Sequence, residues 1–207
     1  MMFITFEGID LSGKSTQAKL LYEYLLRKRK KTILVREPGG TPTSERIRDI
    51  LLDKSLKGML SLTEFLLFSA SRHQLTEEVI KPHLKKGYIV ICDRYYDSST
   101  AYQGYGGKIE KDIIKKINTI AANKLNPDIT FFVDIDMKES ARRRFTMKKT
   151  KDRMESKKVE YFNKVIEGYR ELSRLNKNRF VQLDGKKTIE ELQNDILYIL
   201  KKKNKNV

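Results

Sequence analysis

The stretch Gly8-Ile9-Asp10-Leu11-Ser12-Gly13-Lys14-Ser15 fits the pattern G-x-x-x-x-G-K-[ST] at every fixed position. Glycines at the two fixed sites permit backbone conformations that side chains obstruct. The amides of such a loop, with the N-terminus of a helix behind it, converge on an anion. The chemistry is that of a nucleoside triphosphate site, formed by Gly8, Ile9, Asp10, Leu11, Ser12, Gly13, Lys14, Ser15 and Thr16. Lys14 would reach the terminal phosphates and Ser15 would ligate Mg²⁺. Such a loop specifies a ligand, not a reaction. GTP-hydrolysing switches share it, but they also want D-x-x-G after a strand and an N-K-x-D base reader. No D-x-x-G follows Tyr88–Cys92, and Asn123-Lys124-Leu125-Asn126 ends in an amide where guanine needs an acidic acceptor.

Four further groups point to a second ligand. They are Arg36-Glu37-Pro38-Gly39-Gly40-Thr41, Phe68 with Arg72, Asp93-Arg94-Tyr95, and Ser98 to Gly104. Arg36 and Arg94 beside a triphosphate site suit another phosphorylated molecule. Phe68 and Arg72, four residues apart on one helix face, suit a heterocyclic base, with a ring to stack and a guanidinium for an acceptor edge. The same spacing also fits a core phenylalanine and a surface arginine. Asp93 has two readings, an Mg²⁺ ligand through water or a buttress for Arg94. Tyr95, Tyr96, Tyr102 and Tyr105 with Gly104, Gly106 and Gly107 read equally as a packed loop.

The elements that must position these groups alternate between strand and helix patterns. Strand-like runs are Met2–Phe6, Thr32–Val35, Tyr88–Cys92, Ile129–Ile135 and Phe180–Leu183. Helical spacing covers Ser15–Lys30, a segment starting at Thr41-Pro42-Thr43, Leu62–Leu84, Ile109–Asn123, Met137–Lys148, Lys157–Leu175 and Thr188–Lys203. This order predicts an α/β fold with a mostly parallel sheet and helices on both faces. The loops at the strands' carboxyl ends then line a ligand crevice, where the phosphate loop, Arg36, Asp93 and Arg94 converge. Residues 146–157 carry many charges and no apolar period, and read as an exposed loop.

The chain has 207 residues, 43 of them Lys or Arg and 27 Asp or Glu, for a net charge of +16. That length predicts a single domain over residues 1–207. Residues 1–136 are net +5 and residues 137–207 net +11. The blocks Arg27–Lys31 and Lys201–Lys203 read as solvated helix ends, favoured there by the helix dipole. One cysteine, Cys92, excludes an intrachain disulfide framework. No apolar run reaches the ~18 residues of a membrane span. The opening MMFITFEGID resembles neither a signal nor a transit peptide, so a cytoplasmic setting is expected.

FEGIDLSGKSTQ, REPGGT, LLFSASRHQ, DRYYDSSTAYQGYG, PDITFFVD and DRME stand in the order seen in thymidylate kinases. The resemblance runs from about Phe3 to Leu200. It implies the phosphate-loop NTPase fold of nucleoside monophosphate kinases, with a five-stranded parallel sheet and a short lid at about 146–157. It implies transfer of the ATP γ-phosphoryl group to dTMP, giving dTDP for dTTP synthesis, by a homodimer using Mg²⁺. By matched motif, Phe68 stacks on thymine and Arg72 contacts its oxygen edge. Arg94 binds the dTMP phosphate with Arg36 near it, and Asp10 contacts the sugar 3′-OH. Ser99 and Gln103 lie in the base-binding segment, Tyr102 lies where a ribose 2′-OH would sit, and Arg143 lies on adenine. The metal falls to Ser15 and Asp93, and catalysis to Lys14, Arg94, Asp10 and a lid cation. Leu11 and Ser12 follow Asp10, so the loop has no arginine. Lys148, Lys149 and Arg153 are the lid candidates, with Arg153 preferred for its planar fork.

The acceptor oxygen of a nucleotide phosphate is already ionised at neutral pH. No general base is required, and His73 and His83 read as structural. The rival readings are a kinase for another nucleoside monophosphate and a nucleic-acid-binding ATPase using the basic final third. No helicase or groove-reading motif supports the latter, and neither a nucleic-acid nor a membrane partner is expected.

Overall fold

The computed structural model describes residues 1–148, 150 and 152–203. Five strands run β1 (Met2–Glu7), β2 (Thr32–Arg36), β3 (Ile89–Asp93), β4 (Ile129–Asp134) and β5 (Phe180–Asp184). They form one all-parallel sheet in the order β2-β3-β1-β4-β5. Successive side chains of a strand point to opposite faces. Thus Ile4 and Phe6 of β1 pack with Leu21, Leu25 and Ile196, while Phe3 packs with Leu75 and Tyr95 on the other side. In β4, Phe131 joins the first cluster and Phe132 packs with Val165, Ile166 and Tyr169. Both faces are covered, which is why these strands read as unbroken apolar runs.

The helices follow the spacing seen in the sequence. They are α1 (Lys14–Arg27), α2 (Pro42–Leu52), α3 (Ser61–Leu75), α4 (Lys81–Lys85), α5 (Tyr96–Ser99), α6 (Lys111–Ala121), α7 (Met137–Met147), α8 (Val159–Leu175) and α9 (Ile189–Lys203). A π-helical turn over Thr76–Ile80 joins α3 to α4, so the rod predicted over Leu62–Leu84 is continuous. The Thr41 hydroxyl accepts from Ser44 N at 3.1 Å, and Pro42 opens α2. Such a cap contributes ~1 kcal/mol.

Two segments differ from expectation. The tyrosine- and glycine-rich stretch is not a loop, because α5 runs into a second π-helical turn over Thr100–Gly106. The glycines allow this turn to press against α8. A Cβ at Gly168 would lie 2.7 Å from the Tyr105 ring, and one at Gly106 2.7 Å from the Tyr161 ring. Residues 146–157 are not an exposed loop throughout. Met154 and Glu155 are buried and Arg153 nearly so. Charges without apolar periodicity conceal this packing, since ion pairs of Arg153 and Glu155 and the single apolar anchor Met154 hold it. His73 and His83 are structural as expected, with Nδ1 atoms on Ala121 O and Val79 O.

Candidate active site

The phosphate loop joins β1 to α1 at the carboxyl edge of the sheet. Gly8 has φ 141°, and a Cβ there would lie 2.6 Å from Val133 O. The side chain of Ile9 is in the core, and neither Gly8 nor Ile9 lines the cavity. Their side chains contribute loop shape rather than cavity wall. Asp10, Leu11, Ser12, Gly13, Lys14, Ser15 and Thr16 do line it. Lys14 is buried at the first turn of α1, with Nζ 3.9 Å from Asp10 Oδ1. Burial first, and then the positive charge of Arg94, lower its pKa. An ammonium held there without full neutralisation is receptive to phosphate oxygens.

Arg143 anchors the loop from behind. Its Nη1 donates to Leu11 O and Ser12 O at 3.1 and 3.0 Å, its Nη2 to Gly185 O, and its Nε to Glu139. It also lines the phosphate-loop cavity, together with Arg142.

A second cavity lies beside the first, lined by residues that include Phe68, Ser98, Ser99, Tyr102 and Gln103. Asp10, Glu37, Arg48, Arg94 and Asp152 line both. Arg94 is the centre of this shared wall. Its backbone is left-handed at φ 70°, a conformation that non-glycine residues seldom adopt. Nη1 donates to Gly8 O at 2.8 Å, Ser98 Oγ at 3.1 Å and Tyr169 Oη at 3.3 Å. Nη2 donates to Asp10 Oδ1 at 2.8 Å and Tyr102 Oη at 3.2 Å. Burial opposes its charge, but Tyr102, Asp10, Tyr169 and Asp93 outweigh that and hold its pKa raised. Burial pushes the Tyr102 phenol up, so it remains a neutral hydroxyl. Behind Arg94, the buried Glu7 accepts from Tyr95 N, Ser98 Oγ and Tyr169 Oη.

Two expected contacts are placed differently. Arg72 is fully buried and lines neither cavity. Its Nε donates to Glu37 at 2.8 Å, Nη1 to Asn118 at 2.6 Å, and Nη2 to Ser99 Oγ. A buried guanidinium needs such acceptors, so Arg72 acts here on Ser99 and Glu37, which do line the cavity. Arg36 is half-exposed, pairs with Glu45 at 2.8 Å, and lines only the phosphate-loop cavity. Arg48 of α2 takes the shared position instead, its Nη1 donating to Pro38 O. Burial, then the positive charge of Arg36, lower its pKa.

The lid candidates also differ from expectation. Arg153 donates to Leu51 O at 2.7 Å and to Glu64 at 2.8 Å and lines neither cavity, because the buried carboxylate of Glu64 draws it away. Lys148 caps α7 and lines neither cavity. Lys149 lies outside the described residues. The lid instead presents Met147, Asp152 and Glu155 to the phosphate-loop cavity, and Asp152 with Met154 to its neighbour.

Asp93 does not buttress Arg94 by a hydrogen bond. Its buried Oδ1 has no partner among the described residues, and neither has Glu37 Oε2. An orphaned carboxylate oxygen on the wall that also carries the exposed Ser15 hydroxyl fits Mg²⁺, which takes one or two protein oxygens, waters and phosphates. Consistent with that mode, no group of three or more His, Cys, Asp or Glu is placed to cage a metal among the described residues. Of the residues found here, sequence reasoning missed Arg48, Glu7, Glu64, Asp152 and Met154. The short Arg46-Ile47-Arg48 run after the REPGG loop was the one available signal.

A thymidylate kinase family profile matches residues 6–196. The chain is 47% identical to the thymidylate kinase of Thermosipho melanesiensis, covering 96% of this chain and 97% of that protein. It is 42% identical to that of a Sulfurihydrogenibium species, over 97% of each. The crystal structure of thymidylate kinase from Ehrlichia chaffeensis matches with a TM-score of 0.80 and 36% identity, over 97% of this chain and 98% of that one.

Proposed function

We propose how this chain, which belongs to the thymidylate kinase family, divides that family's reaction among its residues. It is an ATP-dependent dTMP kinase, passing the γ-phosphoryl group of ATP to dTMP to give dTDP and ADP on the route to dTTP. One observation carries the assignment of parts. The phosphate-loop cavity and its neighbour share a wall of Asp10, Glu37, Arg48, Arg94 and Asp152. Two anions seated on either side of it meet end to end.

ATP takes the phosphate-loop cavity, with Lys14 on the transferring phosphate and the outer face of Arg143 against adenine. dTMP takes the second cavity, its thymine on Phe68 and its base edge on Ser99 and Gln103. Arg72 fixes the Ser99 hydroxyl and so acts on the base indirectly. Tyr102 fills the space of a ribose 2′-OH, and Asp10 accepts from the sugar 3′-OH. Arg94 and Arg48 hold the acceptor phosphate. An oxygen of that phosphate attacks the γ-phosphorus as the bond to the ADP oxygen breaks, and no proton needs removing first. Catalysis is positioning and charge neutralisation. Ser15 and Asp93 would hold Mg²⁺, whose charge offsets that of the phosphates when it is bound. The cations at the transfer point are then Lys14, Arg48 and Arg94, while Arg153 positions the lid.

No helix among the described residues is long and apolar enough to cross a membrane. We place the enzyme in the cytoplasm, with nucleotides rather than nucleic acid as ligands. Leu62 and Leu66 of α3 are about half exposed, and α2 and α6, which both pack on α3, carry the exposed Ile50 and Ile113. These neighbouring helices supply the apolar surface of a two-fold homodimer. ADP release over a panel of nucleoside monophosphates tests the reading. Turnover is expected with dTMP, and not with dCMP or ribonucleotides, and equal rates across the panel would reject it.

A further inference from the structure

Glu64 lies in the first turn of α3 and is buried at 1% exposure. A lone carboxylate in such a place is unfavourable unless cations and donors satisfy it. Four contacts do so. Gln103 Nε2 donates to Oε1 at 3.0 Å, Lys157 Nζ to Oε1 and Oε2 at 2.9 and 3.1 Å, and Arg153 Nη1 to Oε2 at 2.8 Å. Gln103 lines the acceptor cavity, whereas Arg153 and Lys157 flank the lid turn that carries Met154 into the same cavity. Arg153 and Gln103 meet at the same carboxylate, one on each oxygen. A second tie runs parallel, from Lys157 over the Tyr161 ring at 4.5 Å and from Tyr161 Oη to Tyr102 O at 2.9 Å.

We propose that Glu64 is a positioning residue that couples the acceptor pocket to the lid, so that the base held by Gln103 sets how firmly Arg153 and Lys157 keep the lid down. The proposal rests on dTMP as the occupant of this cavity. When a base orders Gln103, the amide is fixed on Oε1 and the two lid cations find a carboxylate already oriented. When Gln103 is free to turn, the carboxylate loses that support and the lid loosens. Met154 and Asp152 leave with the lid, so the acceptor cavity is completed only when the lid is down. Lid closure and dTMP binding favour each other by one and the same factor, since linkage has one value in both directions.

Limited trypsin digestion of the full enzyme, with and without dTMP, reads the lid at the bonds after Arg153 and Lys157. In the wild-type chain dTMP is expected to slow cleavage there about tenfold, the mark of local opening suppressed by a ligand. In Glu64→Gln the lid without dTMP is expected to be cut about tenfold faster than wild type, and dTMP to protect it less than about twofold. KM for dTMP should rise about tenfold while KM for ATP stays within about twofold, a split that general loss of folded protein would not produce. Glu64→Asp, which keeps the charge, should restore protection by dTMP. If Glu64→Gln does not fold by circular dichroism, Arg153→Met read at Lys157 serves the same test, with protection again expected to be lost. Equal protection by dTMP in wild type and variant overturns the coupling. Absence of protection in the wild type overturns it together with the placement of dTMP.

Discussion

The two halves of the active site are built in opposite ways. The phosphate cradle of the ATP side is one continuous stretch from Asp10 to Thr16, shaped by backbone conformation and braced by Arg143 and Arg94, although distant residues such as Asp93, Met147 and Lys186 complete that cavity. The dTMP side is assembled from side chains that are remote in the chain. Arg94 and Asp10 are 84 residues apart, Arg72 and Asn118 46, Gln103 and Glu64 39, and Arg153 and Glu64 89. A backbone cradle accepts any triphosphate that fits, because amides recognise phosphate and not its substituent. Selectivity needs side chains of several chemistries around one molecule, and only the fold can bring them together. The phosphate cradle is therefore local and general, and the acceptor half is dispersed and specific.

Substitutions sharpen this contrast in descending order of effect. Lys14→Ala removes the cation at the transferred phosphate, and kcat should fall roughly 10²–10³-fold with little change in melting temperature. Retained turnover would break the assignment of the ATP side. Arg94→Ala strikes the shared wall and should lower kcat and raise KM for both nucleotides. It also removes the guanidinium that pairs with Asp10 at 2.8 Å and the positive charge near Glu7. Calorimetric unfolding should show a loss of about 3 kcal/mol, the scale for breaking a largely buried pair. Phe68→Ala belongs to the acceptor side alone. Loss of ring contact, worth about 1 kcal/mol, should raise KM for dTMP several-fold and leave KM for ATP unchanged. Tyr102→Ala should narrow the gap in kcat/KM between dTMP and its ribonucleotide analogue, and an unchanged gap would remove Tyr102 from the sugar site.

The smallest effect is a pH dependence behind the wall. Burial, and then the charge of Asp97, raise the Glu7 pKa from 4.5 to about 7 against the opposing hydrogen bond from Ser98. A group whose pKa is raised by folding binds more protons in the native state. Its contribution to stability is complete below pH 4.5 and is lost as pH climbs to about 7. Melting temperatures of Glu7→Gln, followed from pH 4.5 to 8, should fall less with rising pH than those of the wild type. Parallel curves would mean that Glu7 stays ionised throughout.

Most of the fold was legible because it is written in periodicity. All five strands and the order of helices follow from apolar runs and helical spacing, and strand ends differ by a residue or so. Thr41 and Pro42 marked the start of α2 by cap chemistry that needs no tertiary partner. The loop from Asp10 to Thr16 was legible for the same reason. The side chains least legible in sequence are those whose position depends on a partner remote in the chain. The family motif places Arg72 on the base and its planar fork favours Arg153 on the phosphoryl group, while in the structure the two guanidinium groups pair with Glu37 and Glu64. Nothing near Arg72 in sequence announces Glu37. Arg48 was passed over because Ile47, Ile50 and Leu51 account for the pattern of α2, and a lone arginine on that helix looks like solvated surface. The helical turn over Thr100–Gly106 was hidden because glycine is a poor helix former, and only the proximity of α8 explains its use.

The π-helical turn over Thr76–Ile80 makes one rod answer to two environments. Upstream of it, Phe68 and Arg72 are held in phase with the dTMP pocket. Downstream, Ile80 and Leu84 are held in phase with the underside of β3, where they pack with Val90 and Cys92. An α-helix advances about 100° per residue, so a turn that accommodates one extra residue is a fixed angular offset between the two stretches. Deleting any single residue there would restore an uninterrupted helix and rotate one end relative to the other. Either the pocket or the core would then face the wrong way, although no side chain of either had been changed. A stretch that touches no nucleotide is for this reason less tolerant of a change in length than of a change in composition.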